Sequence, residues 1–327
     1  MPAIVCRLPA RLHFGLLDMN GSLGRVDGGI GLAIREPATV LAADHAAAVS
    51  VQGVSDPLLR SRLQTGLRRV CAYLKLPGVS LSVQRLPPAH SGFGSSTQVL
   101  VGAARTVSLL ARNPRSAPEL ARMMGRGGTS GIGTAAIEGG GFILDGGHAF
   151  RTGPGSKQEY TPSRAAQDPV PPPVLAQIPF PAEWHVLICV PPGLDIDGKR
   201  ELEIFARECP VPDADVDRMC RILLMQMLPA VAARDLTLFC RSMEAYQTLG
   251  FKQAEVRTQT ETVRSAMAHM RDIGGQGVGM SSWGPAVFAF GTDLKTLQTR
   301  MQEWLLGHGG GDVFVTQADN VGHRVLL

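Results

Sequence analysis

With 327 residues, 44% of them hydrophobic and 18% charged, the chain is long enough for two lobes that each bury a core. Its formal charge of +4 is not gathered into a stripe and its aromatic content is only 5%, so the sequence carries no nucleic-acid footprint. No apolar run is long enough to cross a bilayer, the N-terminus has no basic segment ahead of an apolar one, and six cysteines stand singly without C-x-x-C pairs. This pattern excludes a disulfide framework and a zinc site, and it predicts a protein of the reducing cytoplasm with no membrane partner.

Residues 4–17 alternate as a strand kinked at Pro9, and Asp18-Met19-Asn20-Gly21 is a turn signal. A glycine-dense loop is expected over residues 21–31. His13, Asp18, Arg25 and Asp27 lie close together around it and form a candidate site edge, against the plainer reading of a locally paired, solvated turn. Two short strands follow at 38–43 and 48–51. Asp56-Pro57 then supplies a cap and a first-turn proline for a helix whose Leu59, Leu63, Leu67, Val70, Cys71 and Leu74 share one face.

After an alternating run at 79–83 comes Pro87-Pro88-Ala89-His90-Ser91-Gly92-Phe93-Gly94-Ser95-Ser96-Thr97-Gln98, which leads into a proline-free helical stretch. Gly92 and Gly94 let the backbone turn tightly, while Ser95, Ser96 and Thr97 place hydroxyls beside the exposed N–H groups of a first helical turn. The helix dipole favours an anion there, so the stretch reads as a phosphate cradle in which His90 is a further candidate ligand. It lacks the Gly-Lys-Ser/Thr of a Walker loop and the Gly-x-Gly-x-x-Gly of a dinucleotide fold.

Ser116 and Glu119 form a capping box for a short helix ending near Met124. Residues 125–141 are a second glycine-rich segment, containing Arg126, Ser130 and Gly131, and a strand is expected at 142–145. The proline-rich stretch 152–181 reads as an extended connection, with the lobe boundary between residues 165 and 166. Beyond it, 184–190 is a buried strand and Lys199-Arg200 a charged turn before a helix at 201–206. Helical periodicity covers 215–228, 236–249, 254–273 and 294–306, and the methionines of 219–227 are core. A third glycine-rich loop at 274–285 holds Gly277, Gly279 and Trp283, whose indole either stacks on a ligand or packs beneath the loop. With strands at 286–290 and 312–316, the second lobe reads as an α+β sandwich.

Three segments in this order, Pro9-Ala10-Arg11-Leu12-His13-Phe14-Gly15, residues 87–98 and residues 275–285, resemble the motifs of the GHMP kinase superfamily. The resemblance implies an α+β, two-lobed GHMP kinase-like fold. Residues 1–165 would be an N-terminal lobe of ribosomal protein S5 domain 2 type, and residues 166–327 a ferredoxin-like C-terminal lobe. It also implies small-molecule substrates, substrate contacts from His13, Ser130, Gly131, Gly277 and Gly279 as well as the cradle, and a homodimer as the assembly. In kinases of this group the segment matching Ser130-Gly131-Ile132-Gly133 ends in an Asp that helps deprotonate the acceptor hydroxyl. Here that position is Gly133, which cannot take a proton.

Residues 11–18, the Gly24-Arg25-Val26-Asp27-Gly28-Gly29-Ile30-Gly31 segment, Gly125-Arg126-Gly127 with Ser130 to Gly133, and Gly140-Gly141-Phe142 with Asp145-Gly146-Gly147-His148 resemble a branch that does not phosphorylate, the β-ribofuranosylaminobenzene 5′-phosphate synthases. That resemblance implies joining 4-aminobenzoate to phosphoribosyl pyrophosphate with loss of pyrophosphate and carbon dioxide, in methanopterin biosynthesis. Arg25, Arg126 and the helix start would hold the leaving group. Asp18 or Asp27 would bind a Mg2+ bridging the pyrophosphate or stabilise the developing cation. An ATP-dependent small-molecule kinase and a catalytically silent ligand-binding member are the alternatives.

Overall fold

A computed structural model describes residues 4–126, 131–162, 172–196 and 198–326. The chain builds two sheets that share one apolar core. The first is organised by β1 (Ile4–Asp18) and the 21-residue β2 (Arg25–His45), which run antiparallel along their length. Register shifts interrupt the pairing between Leu8 and Ala10 and between His13 and Gly15. The first is the expected break at Pro9, which has no N–H to give to a ladder. The far half of β2 pairs β4 (Val79–Arg85), which pairs β3 (Ser50–Gln52). Its near half pairs β5 (Phe142–Asp145) and β6 (His148–Ala149).

The glycine-dense segment 24–31 is therefore mostly strand, not loop. Its glycines serve packing: a Cβ on Gly31 would lie 2.4 Å from Ile132 Cγ2, and one on Gly29 would lie 3.1 Å from Asp145 Oδ2. Ile132 belongs to α4 (Gly131–Glu138), a helix inside what the sequence reading left as a glycine-rich segment. Two glycine runs far apart in sequence thus let a helix lie directly on a strand.

On this sheet also pack α1 (Pro57–Leu74), α2 (Ser95–Leu110) and α3 (Ala117–Met123). Asp56 caps α1 by accepting from Leu58 N–H at 2.8 Å, and Ser116 caps α3. α2 is buried on nearly every side, with Val99, Leu100, Ala103, Ala104 and Val107 among Leu8, Leu41 and Leu81. That burial immobilises the helix, and with it the position of its N-terminus.

The second sheet has the order β11-β8-β10-β9, built from β8 (His185–Val190), β9 (Gln276–Met280), β10 (Val287–Gly291) and β11 (Asp312–Gln317). β8 alternates strictly. Leu187 and Cys189 face α10 (Glu261–Asp272) and α11 (Lys295–Leu306), while Val186 and Ile188 join Phe14, Phe142, Phe180, Phe239 and Phe290 between the sheets. The remaining helices are α5 (Gly198–Glu208), α6 (Asp213–Ile222), a π-helical turn Leu223–Met227, α7 (Leu228–Ala233), α8 (Leu236–Gln247) and α9 (Gly250–Thr258). The single helix expected over 254–273 is two, because Thr260 caps α10 with its hydroxyl at 3.3 Å from Val263 N–H.

The expected boundary between residues 165 and 166 falls outside the described residues. Strands from the second half cross back: β7 (Val174–Ile178), within the stretch read as an extended connection, pairs β5, and β12 (Arg324–Leu326) pairs β1.

Candidate active site

One cavity collects the three glycine-rich regions. It is lined by Arg11, His13 and Asp27 from the first sheet, by Arg62 of α1, by His90, Gly92 and Gly94 to Thr97 of the cradle, and by Arg126. Asp195, Ile196, Glu201, Phe205, Glu255, Ser282, Trp283 and Gly284 come from the second half.

The cradle is held open from below. Gly92 and Gly94 have φ of 86° and 74°, the left-handed region that glycine enters without cost. A Cβ on Gly92 would meet Ser281 O at 2.4 Å, and one on Gly94 would meet Arg11 Nε at 2.9 Å. Arg11 Nη1 donates to Gly92 O at 2.5 Å, and Ser281 Oγ donates to the same oxygen at 2.7 Å while accepting from His13 N–H at 3.0 Å. All three motifs meet at this point. Gly94 is the N-cap of α2 and offers no side-chain cap; Thr97 N–H donates to Gly94 O at 3.0 Å, which leaves the first-turn N–H groups of Ser95 and Ser96 without a side-chain cap at residues that line the cavity. Arg126 Nη2 donates to Thr97 Oγ1 at 2.7 Å and adds positive charge beside them.

Beneath the cradle the ionisable groups are buried. Burial pushes the Arg11 guanidinium down to about 10, opposed by Glu255. Burial, Arg11 and Lys252 together push His13 well below its usual range, so its ring is neutral at pH 7. Lys252 is also pushed down by burial, against the pull of Glu255. Its Nζ donates to Glu255 Oε2 at 2.7 Å and to Ser282 O at 2.8 Å.

A second buried cluster forms the opposite wall. Asp27, with φ of 67°, accepts from Lys157 Nζ at 3.0 and 2.9 Å on its two oxygens and from His148 Nδ1 at 2.5 Å. Burial alone would raise its pKa, but His148 and Lys157 prevail and hold it below the ordinary carboxylate range. Asp145, close by, is pushed up to about 7 by burial, against the hydrogen bond it accepts from Gly147 N–H and with the Asp27 charge adding to the rise. The two carboxyls are shifted in opposite directions: Asp27 is held below the ordinary carboxylate range, and Asp145 is held well above it.

Of the residues expected from sequence, His13, Asp27, His90, Gly92, Gly94, Ser95, Ser96, Thr97 and Arg126 line the cavity. Asp18 does not; its Oδ1 caps the turn by accepting from Asn20 and Gly21 N–H at 2.8 and 2.9 Å. Nor does Arg25, whose guanidinium forks onto the carbonyls of Gly146 and Gly147 at 2.9 and 2.8 Å. Gly277 and Gly279 are also away from it. A Cβ there would meet Cys240 and Phe290, or Phe288 and Gln247, because α8 packs directly on β9. Gly131 lies against Asp145, and Ser130 falls outside the described residues.

Sequence reasoning passed over Arg62, Lys252, Glu255 and Lys157, and used Arg11, Asp145 and His148 only as parts of motifs. Lys252 and Glu255 sit three apart on α9, a spacing that reads as a solvated pair. Only the tertiary structure shows that both are buried.

Of the donors expected for Mg2+, both Asp27 oxygens are taken by Lys157 and Asp18 Oδ1 is spent on its turn.

The chain matches the GHMP kinases N terminal domain over residues 61–141 and the GHMP kinases C terminal domain over residues 227–317. It is 35% identical to the β-ribofuranosylphenol 5′-phosphate synthase of Methanocaldococcus jannaschii, over 98% of this chain and 100% of that one. It is 38% identical to the protein of the same name from Methanothermobacter thermautotrophicus, over 89% of each. Among solved structures, homoserine kinase from Cytophaga hutchinsonii superposes with a TM-score of 0.69 at 17% identity, covering 100% of this chain and 98% of that one. The chain therefore belongs to the GHMP kinase superfamily and, within it, to the family of β-ribofuranosylphenol 5′-phosphate synthase enzymes.

Proposed function

We propose that the enzyme transfers phosphoribose from phosphoribosyl pyrophosphate to a ring carbon of a para-substituted benzoate, releasing pyrophosphate and carbon dioxide, in methanopterin biosynthesis. The acceptor implied by sequence resemblance was 4-aminobenzoate. The names of the relatives carry a phenol instead, which favours 4-hydroxybenzoate.

One observation supports this reading above a kinase: a diphosphate cradle around which, among the described residues, the cavity-lining carboxylates are all engaged. Asp27 is bound to Lys157, Glu255 to Lys252 and Asp195 to His90 at 2.8 Å, while Glu201 accepts from Trp283 Nε1 at 2.8 Å. None of them stands ready to deprotonate an alcohol, and Gly133 has no side chain to do so.

The proposed chemistry needs no such base. The bond from the ribose carbon to the pyrophosphate oxygen breaks with its electrons going to pyrophosphate, held by Arg126, Arg11 and the start of α2. Electrons of the ring then form the new carbon–carbon bond, and the pair left behind by departing carbon dioxide restores aromaticity. Asp27, kept anionic by His148 and Lys157, faces the cavity where the cationic ribose carbon develops. The Mg2+ expected with the pyrophosphate would travel as its counter-ion, and no step is assigned to it.

The test uses carboxyl-labelled 4-hydroxybenzoate and 4-aminobenzoate. Labelled carbon dioxide released only with phosphoribosyl pyrophosphate supports the synthase. ATP consumption on adding an alcohol, with no release, would replace it with a kinase. Binding without turnover would leave a silent ligand-binding member.

A further inference from the structure

The cavity has two unlike ends. One is the cationic cradle. The other carries the apolar side chains Leu16, Ile196, Phe205 and Trp283, with the Asp195 and Glu201 carboxylates among them. Trp283 is half-buried and lies edge-on to Phe251 at 5.7 Å between ring centroids, beside Phe205 at 6.4 Å.

Its surroundings fix it more tightly than packing requires. The indole Nε1–H donates to Glu201 Oε1 at 2.8 Å, which sets the ring plane. Trp283 O accepts from Gln259 Nε2 at 2.5 Å. The preceding Ser282 donates its N–H to His13 O at 2.8 Å and accepts from Lys252 Nζ at 2.8 Å. Ser282 itself is left-handed, with φ of 51°, a conformation that costs a non-glycine residue free energy and persists only where neighbours over-determine it. Contacts from β1, α9 and the segment after α9 thus hold the backbone of residues 282–283, while Glu201 of α5 holds the indole at a cavity wall. A cavity with a held indole on one wall and guanidinium groups at the cradle suits a flat ring lying beside a bound diphosphate.

We infer that Trp283 is the platform on which the aryl acceptor lies, so that it selects arenecarboxylates over the aliphatic alcohols that a cradle of this kind would otherwise admit. The inference rests on the proposed synthase reading for the identity of the acceptor, and its test is separable from that reading.

The first measurement is intrinsic fluorescence of the wild-type chain titrated with 4-hydroxybenzoate, with 4-hydroxycyclohexanecarboxylate as the non-aromatic control. Quenching by the aromatic acid alone is expected, retained in Trp304→Phe and lost in Trp283→Phe. The second is steady-state KM. Trp283→Leu should raise KM for the aromatic acid about tenfold, the scale of one aromatic contact, while Trp283→Phe stays within about threefold. KM for phosphoribosyl pyrophosphate should hold in both. A merely structural tryptophan would move both constants together and lower Tm alike in the two variants. Absence of quenching in the wild type, its persistence in Trp283→Phe, or an unchanged acceptor KM in Trp283→Leu would overturn the platform. Quenching without carbon dioxide release would instead overturn the synthase reading and leave the platform standing.

Discussion

Lys157 grips Asp27 with its ammonium 3.0 and 2.9 Å from the two carboxylate oxygens, and both side chains are buried. They are 130 residues apart, joined across the wall of the cavity. Removing one partner of a buried pair leaves the other charge uncompensated, which costs about 3–5 kcal/mol. Lys157→Met is therefore expected to lower unfolding stability by about that amount in urea titrations, whereas Lys157→Arg should recover most of it. Equal stability of Lys157→Met and wild type would mean that Asp27 is solvated.

Asp27→Asn removes the charge from the site and also leaves Lys157 buried without its carboxylate, so its turnover is read at a temperature where the variant remains folded. The amide keeps an acceptor for His148 but cannot counter a cationic ribose carbon, so turnover should fall about a hundredfold or more, in line with losing one electrostatic group at a transition state. KM should change little. A raised KM with unchanged turnover would assign Asp27 to binding alone.

The two neighbouring carboxyls predict opposite pH behaviour. Asp27 is depressed in the fold, so its stabilisation is present above the unfolded carboxylate value and is lost as pH falls through the folded one. Asp145 is raised to about 7, so the folded state binds the extra proton between the unfolded value of about 3.9 and about 7, and stability falls as pH rises across that window. Asp145→Asn cannot ionise and still accepts from Gly147 N–H. It should match or exceed wild-type stability at about pH 8 and flatten the decline, as followed by urea midpoints across pH. A steeper decline in the variant would contradict the assignment.

Gly94→Ala probes the cradle. The new methyl would sit at φ of 74° and 2.9 Å from Arg11 Nε, strained both in backbone and in contact. A left-handed alanine costs about 1–2 kcal/mol before any clash. The variant should lose inorganic pyrophosphate binding by calorimetry while retaining most of its helical circular dichroism. Unchanged pyrophosphate affinity would remove the start of α2 from the anion site.

Arg25 was expected to touch the leaving group, but its guanidinium instead ties the Gly146-Gly147 turn that sits between Asp145 and His148. Arg25→Ala should therefore cost about 1 kcal/mol of stability through lost hydrogen bonds. It should also lower turnover through a displaced Asp27 cluster, and Arg25→Lys should restore part of each. Lost turnover at full stability would return Arg25 to the pyrophosphate.

Much of this was legible beforehand because local signals carried it. The cradle over 87–98 combines glycines, hydroxyls and an apolar helix in one continuous stretch, and the helix α1 has its cap, proline and apolar face together. Glycine elsewhere misled. In 24–31 and 131–133 it serves the contact of a helix on a strand, and in Gly277 and Gly279 it serves packing on α8, because a missing Cβ means close approach whether the neighbour is ligand or protein.

Sequence by itself determined the shape of the cradle over 87–98, since backbone N–H groups, glycine dihedrals and the start of a helix are properties of neighbouring residues. It also determined the loss of the acidic group at Gly133. What only the tertiary structure decided is the ionisation of the site. Which way Asp27, Asp145 and His13 are shifted depends on burial and on partners from other parts of the chain, and the free energy of a charge is set by those surroundings.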